Sequence, residues 1–141
     1  KAAFTLNASQ LIDDIRKKDK EITEQLDKVK TTPFLVMHDA WQYFTNHYQL
    51  NQLGSISAQE RLRPSAKAIS KARSAITASK ARCLVAEPSL KQRTLKVLTE
   101  DLAVSTTEID PLGRAIPESK TAYLDLLQYT ADKLVNCLKR K

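Results

Sequence analysis

Three polar side chains with the chemistry of a metal site or an acid/base site each follow a short run of apolar or β-favouring residues. Parallel sheets bind their ligands at the carboxyl ends of such strands, so we expect the three side chains to share one edge of one sheet. A buried histidine that faces one or two carboxylates is suited to half of a metal site or to an acid/base pair. The side chains are His38 after residues 34–37, Glu87 after residues 83–86, and Asp110 after residues 104–109.

These residues alone do not complete a zinc site, because zinc takes about four ligands. Part of any metal site must therefore come from elsewhere. Asp39 and Glu87 could also serve only to stabilise the start of a helix. Asp39 is the first residue of a predicted helix and could cap it, and Glu87 could place its charge at the start of the next helix. Asp110 precedes a proline and a loop, so capping explains it less well.

His47 is the second of only two histidines, and we expect it on the surface at the end of the second helix. The two histidines are too far apart around a helix to bind one metal from the same face. The chain has no G-x-S-x-G turn and only two glycines, which argues against a serine nucleophile and a phosphate-binding loop. An enzyme would have to use His38 with Asp110 or Glu87 as an acid/base pair.

Cys83 and Cys137 are too far apart in sequence for a CxxC motif. Cys83 begins a predicted strand, and Cys137 lies on the apolar stripe of the last helix. Two buried thiols and one disulfide both fit these positions. A disulfide would close a loop of about 55 residues, worth roughly 4 kcal/mol on the chain-entropy model, and would indicate an oxidising compartment.

The formal net charge of +7 raises the question of a nucleic-acid partner, since Lys and Arg attract phosphate. In the first helix basic and acidic residues are interleaved, which is typical of a solvated surface with ion pairs. Residues 61–82 are more one-sidedly basic than the first helix, and they include no aromatic residue to stack on bases. We therefore predict no nucleic-acid partner and keep binding by residues 61–82 as a minority hypothesis.

The length of 141 residues suits a single domain with its own core, and no apolar stretch approaches the ~20 residues that span a membrane. Strand-like runs alternate with amphipathic helices, which predicts one α/β domain over residues 1–141, with a four-stranded, mostly parallel sheet and helices on both faces. The predicted strands are residues 34–37, 50–57, 83–86 and 104–109. The predicted helices are residues 7–30, a second with Trp41, Phe44 and Tyr48 on one face, a third from Pro64 or Ser65, residues 89–102, and a last one with the stripe Tyr123, Leu127, Thr130, Leu134 and Cys137.

Several separated motifs together resemble the C-terminal lobe of the periplasmic zinc-binding proteins that serve high-affinity zinc ABC transporters, the metal-binding cluster A-I family. The resemblance covers residues 7–139, nearly the whole chain. Any one motif alone is unspecific, and the resemblance depends on their order and spacing. The motifs are residues 34–44, 48–50, 83–88 and 109–113, followed by Tyr123 and residues 136–139.

The resemblance implies one lobe of a two-lobed metal-binding protein, with the N-terminal lobe missing. The C-terminal lobe of such proteins supplies a histidine ligand from the end of its first strand, which implies His38. Histidine at that position implies zinc, since manganese-type relatives have an acidic residue there. Asp110 matches an aspartate that faces the metal and is implied as the second ligand, while Glu87 and Asp39 are implied as supporting neighbours.

The resemblance also implies a transport function without catalysis, in which Zn²⁺ is bound in the periplasm and delivered to the membrane permease of an ABC transporter. Zinc binding by this chain alone is then expected to be weak, because the other lobe supplies further ligands. Zinc-type members carry a disulfide at the positions of Cys83 and Cys137, which implies the bond here. An enzyme that uses His38 and a manganese-type metal-binding protein are the alternatives that stay open.

Overall fold

The computed structural model describes residues 2–56 and 65–139. Strands and helices alternate along these residues, as the sequence predicts, and none of the helices described is long and apolar enough to cross a membrane. The strands are β1 (Phe34–Val36), β2 (Gln52–Ser55), β3 (Cys83–Ala86) and β4 (Ser105–Glu108). The helices are α1 (Ala2–Leu26), α2 (Gln42–His47), α3 (Ala66–Ser79), α4 (Gln92–Thr99) and α5 (Ala122–Leu138).

The four strands form one sheet in the order β2-β1-β3-β4, and every neighbouring pair is parallel. The prediction of a four-stranded, mostly parallel sheet is therefore confirmed. β1 lies beside β3 with Val36 opposite Val85, and β3 lies beside β4 with Ala86 opposite Glu108. The carboxyl ends of β1, β3 and β4 consequently meet at one edge of the sheet.

The core has two halves, one on each face of the sheet, because successive side chains of a strand point to opposite faces. Phe34 and Val36 face a core shared with α1 and α5, whereas Leu35 and Met37 face a second core shared with α3 and α4. β1 and β3 are buried on both faces, which explains why their sequences are continuous apolar runs. Helices cover both faces, as predicted.

Cys83 and Cys137 form a disulfide, with their Cα atoms 5.8 Å apart. Cys83 is the first residue of β3, and Cys137 lies in the last turn of α5. The bond therefore fixes α5 to an inner strand of the sheet, inside the core that α1 also covers. Sequence spacing alone left free thiols open, and the pairing that the family resemblance implies is the one present.

Two helices are displaced or shorter than predicted. α1 covers Ala2–Leu26 instead of residues 7–30, because residues 27–30 form turns that lead the chain into β1. α4 covers Gln92–Thr99 instead of residues 89–102. The proline and polar residues that follow β3 form a turn before α4 begins, so apolar spacing alone overestimates the helix.

The start of α3 is fixed by a capping side chain. Ser65 precedes the helix, and its Oγ accepts a hydrogen bond from the backbone N of Ala68 at 3.2 Å. This satisfies one of the unpaired N–H groups of the first turn. The alternative start at Pro64 lies outside the described residues, as does Ser57 at the end of the predicted second strand.

Three aromatic positions differ from the predicted helical faces. Trp41 and Tyr48 are buried, but they flank α2 as its N-cap and C-cap residues instead of lying within the helix. Tyr123 lies in the first turn of α5 and is 54% exposed, whereas the helical spacing predicts it on the buried stripe. Thr130 and Leu134 of the same stripe are buried as predicted, so the stripe begins one turn or more into the helix.

Candidate metal centre

The first pair at the sheet edge is His38 and Glu87. His38 lies in the bend that follows β1, Glu87 directly follows β3, and the pairing of these strands brings the two side chains together. Nδ1 of His38 lies 2.9 Å from Oε1 of Glu87, and the side chains are 67% and 21% exposed, respectively. His38 is largely exposed, because the chain turns out of the core after Met37.

The Glu87 contact determines which nitrogen of His38 faces outward. An ionised carboxylate only accepts hydrogen bonds, so Nδ1 is the nitrogen that donates in this pair. The lone pair of the neutral imidazole is then on Nε2, in a side chain that is largely exposed. A carboxylate on one nitrogen and a metal on the other is the usual arrangement of metal-binding histidines. Glu87 therefore fixes both the orientation and the tautomer of a possible donor.

Asp110 lies at the end of β4 and is nine-tenths buried. Its Oδ1 accepts from the backbone N of Leu112 at 3.1 Å, and its Oδ2 accepts from the backbone N and Nε of Arg114 at 3.0 and 2.9 Å. Nη2 of Arg114 lies 3.5 Å from Oδ1. These hydrogen bonds, above all those from the Arg114 side chain, outweigh burial and hold the pKa of Asp110 below its usual range.

The sequence patterns predict no role for Arg114. Its side chain is exposed, and its pKa is raised mainly by the hydrogen bond to Asp110 and further by the charge of Glu87. The guanidinium thus lies within electrostatic reach of both carboxylates at the sheet edge. The spacing of four residues between Asp110 and Arg114 was the only signal, and it lies in a loop where helical pairing rules do not apply.

Asp39 does not cap α2, and Glu87 does not lie at the start of α4, so the predicted structural roles of both residues are wrong. α2 begins after Trp41, and the oxygen Oδ1 of Asp39 instead accepts from Nε2 of Gln52 at 3.1 Å. This contact links the loop after β1 to β2. α4 begins after Lys91, four residues beyond Glu87. Both acids therefore act on the strand-end loops and not on a helix terminus.

The described residues contain no group of three or more His, Cys, Asp or Glu side chains that could hold a metal. Of the predicted ligands, His38 offers one outward nitrogen, whereas both oxygens of Asp110 already accept hydrogen bonds. Within residues 2–56 and 65–139 the predicted ligands therefore offer one outward imidazole nitrogen, which is not a complete metal site.

The second histidine belongs to another cluster. Nε2 of His47 lies 2.7 Å from Oδ1 of Asp19 in α1, and the hydroxyl of Tyr48 donates to the same oxygen at 2.9 Å. Burial raises the pKa of Asp19, but the hydrogen bonds from His47 and Tyr48 outweigh it, and the net pKa is lowered. His47 is exposed, as expected, yet it ties the end of α2 to α1.

The basic segment offers less free charge than its sequence indicates. Arg73 donates through Nη1 and Nη2 to the carbonyl oxygens of Val97 and Glu100, at 2.7 and 2.8 Å. Its charge therefore stabilises the carboxyl end of α4. Arg61 and Arg63 of the same segment lie outside the described residues.

Over residues 1–137 the chain matches the family of ZnuA, the periplasmic component A of the zinc-uptake complex. The chain belongs to this family. It is 38% identical over 138 residues to the high-affinity zinc uptake system protein ZnuA of Haemophilus ducreyi, covering 98% of the chain and 44% of that relative. The chain thus spans less than half the length of this family member.

Solved structures share the fold of the chain. A crystal structure of ZnuA superposes with a TM-score of 0.71 at 18% identity, covering 93% of this chain and 46% of that one. The SBP FpvC of Pseudomonas aeruginosa, solved in complex with Mn²⁺, superposes with a TM-score of 0.80 at 15% identity, covering 98% and 52%. At these identities the superpositions establish the fold, and the metal must be argued from the residues of the site.

Proposed function

We propose that the protein is the metal-binding component of a high-affinity zinc uptake transporter, which binds Zn²⁺ in the periplasm and delivers it to a membrane permease without catalysis. The observation that carries the proposal is the pair of His38 and Glu87, at a sheet edge of a chain that belongs to the zinc-uptake family. The pair holds one imidazole nitrogen and leaves the other to a metal.

The proposed ligand is Nε2 of His38. Glu87 orients the ring through Nδ1, as a carboxylate behind a metal-bound histidine does. Imidazole suits zinc better than it suits manganese or magnesium, which prefer oxygen ligands. Asp110 is proposed as the second ligand, one that the metal reaches only when Arg114 releases it. Asp39 supports the loop that carries His38 through its contact with Gln52.

We propose that another part of the full-length protein completes the metal site. Exposed apolar side chains are concentrated in the amino-terminal half of α1, where they have no core to cover. We propose that they pack against the part of the full-length protein that this chain, at 44% of the length of its relative, does not include. That part would supply the remaining zinc ligands. The side chains are Phe4, Leu6, Leu11 and Ile12.

The disulfide supports the periplasmic location, because disulfides persist in oxidising compartments and are rare in reducing ones. A thiol count on the denatured protein, purified without reductant, tests it directly. We expect neither Cys83 nor Cys137 to react. Two reactive thiols would contradict the proposed compartment.

The function is tested by titrating Zn²⁺ into the ¹⁵N-labelled chain and following amide NMR shifts residue by residue. We expect weak binding, with shifts confined to the surroundings of His38, Glu87 and Asp110, and no shifts there in His38→Ala. Zinc shifts only around His47, or none at millimolar zinc, would contradict the proposal.

The same pair at 2.9 Å is also suited to acid/base chemistry, which makes an enzyme the second candidate. A pH-dependent turnover that needs no metal and is lost in His38→Ala would favour that function over transport.

A further inference from the structure

Arg114 holds the carboxylate of Asp110 through three of its nitrogens. Its backbone N and its Nε donate to Oδ2 at 3.0 and 2.9 Å, and Nη2 lies 3.5 Å from Oδ1. Oδ1 also accepts from the backbone N of Leu112 at 3.1 Å. Both oxygens are thus engaged in a buried side chain, while the Arg114 side chain is 63% exposed and can be substituted without opening the core.

A metal ion bound at His38 must compete with Arg114 for this carboxylate. Hydrogen bonds between a guanidinium and a carboxylate are charge-assisted and stronger than neutral ones. Coordination by Asp110 would require the loss of the Nε and Nη2 contacts. It would also bring a divalent cation close to the guanidinium, whose charge is always present.

We infer that Arg114 is a specificity-determining residue: a metal gains Asp110 as a ligand only by displacing the guanidinium, and this cost favours zinc over manganese at this sheet edge. The inference rests on the proposed function, in which His38 is the metal ligand. Manganese prefers carboxylate, carbonyl and water ligands, whereas zinc is well served by imidazole. The cost of displacing Arg114 from the carboxylate therefore weakens manganese binding more than zinc binding.

The variant Arg114→Gln tests this role. It removes the guanidinium and keeps the backbone N–H that donates to Asp110. Zn²⁺ and Mn²⁺ are titrated separately into the ¹⁵N-labelled chain, with chemical shifts reporting zinc and paramagnetic line broadening reporting manganese. We expect the ratio of manganese affinity to zinc affinity to rise roughly tenfold, as expected for the loss of one charge-assisted hydrogen bond that competes for the ligand. New broadening should be strongest at Asp110 and Leu112.

Two controls separate this effect from a change in net charge. Arg16 is a second exposed arginine with an aspartate partner, Asp13, at 3.5 Å on α1. Arg16→Gln removes the same charge and should leave the metal preference unchanged. In the double variant of Arg114→Gln with Asp110→Asn, the gain in manganese affinity should disappear, because the released carboxylate is gone. Spectra that match the wild type away from the site establish that each variant is folded.

The possible results point to different conclusions. An unchanged metal preference in Arg114→Gln, with zinc still shifting residues around His38, overturns the role of Arg114 and leaves the proposed function intact. An equal rise in the double variant also overturns it, because the effect would then not pass through Asp110. No zinc effect around His38 in the wild-type chain contradicts both the proposed function and this inference.

Discussion

Both histidines of the chain are paired with a carboxylate, His38 with Glu87 at 2.9 Å and His47 with Asp19 at 2.7 Å. The pairs differ in the ring nitrogen that makes the contact. Glu87 contacts Nδ1 of His38, so that Nε2 stays available in an exposed side chain. Asp19 contacts Nε2 of His47, the nitrogen farthest from the backbone, and turns the ring towards α1.

The two carboxylates also differ in their other contacts and in their position in the fold. Asp19 accepts a second hydrogen bond from Tyr48, whose pKa is raised by burial and by this contact, so the cluster fastens α2 to α1. Glu87 stands at the end of an inner strand, where parallel sheets bind ligands. A short histidine–carboxylate distance therefore does not distinguish the two histidines. The ring nitrogen that stays uncontacted and the position at a strand end do distinguish them.

The two histidine pairs are distinguished most clearly by removing each imidazole ring in turn. His38→Ala should lower zinc affinity more than roughly a hundredfold, because loss of a ligand exceeds the 10–100-fold effect of losing a supporting partner. His47→Ala should change zinc affinity less than about twofold by the same reasoning. Zinc titrations of the two variants, followed by amide NMR, measure both. Equal losses would mean that the pairs are not different in kind.

The next largest effect concerns the partner of His38. Glu87→Gln keeps the size of the side chain but can present an amide N–H to Nδ1, which no longer selects the tautomer with its lone pair on Nε2. We expect a roughly tenfold to hundredfold weaker zinc affinity. Asp19→Asn, the same change in the other pair, is the matched control and should leave zinc binding intact.

For stability we expect the pair of His47 and Asp19 to matter, although it should not affect zinc binding. Asp19→Ala removes the acceptor of both His47 and Tyr48, and we expect the free energy of unfolding to fall by about 1–2 kcal/mol, measured by urea denaturation. Asp13→Ala, which breaks an exposed ion pair with Arg16 on the same helix, should cost no more than about 0.5 kcal/mol. Equal costs would show that the cluster at Asp19 contributes no more than a surface pair.

The smallest effect is the pH dependence of that cluster. The pKa of Asp19 is lower in the folded chain than in the unfolded one, so its contribution is present above the unfolded pKa and is lost as the pH falls through the folded pKa. The difference in unfolding free energy between wild type and Asp19→Ala should therefore shrink as the pH falls below about 4. Because the Asp19 side chain is 39% exposed, solvent screening should keep this change below about 1 kcal/mol. A difference that grows on acidification would contradict the lowered pKa.

Local patterns were enough to predict the sheet and the residues at its edge. β1 and β3 are short apolar runs because both of their faces are buried, and the first polar residues after them are His38 and Glu87. The same patterns do not predict how exposed His38 is. An apolar run shows where a strand is buried, but it does not show that the bend after Met37 carries the next side chain into solvent.

Contacts between distant or irregular parts of the chain could not be predicted in the same way. Asp19 and His47 are 28 residues apart on different helices, and no periodicity relates them. Arg114 approaches Asp110 through the path of a loop, which the sequence does not specify. The choice between a disulfide and two thiols at Cys83 and Cys137 likewise needed the family resemblance, because burial suits both.

The disulfide separates the residues of the proposed metal site into two topologically different parts of the chain. Cys83 and Cys137, 54 positions apart, close the intervening chain into a covalent ring. Glu87 and Asp110 lie within that ring, whereas His38 lies on the open segment before it. A force applied to the two chain ends is transmitted through the disulfide and leaves the ring unextended. The force therefore acts on the segment before Cys83, which includes β1 and α1. The open segment that yields to such a force is the one that carries the imidazole.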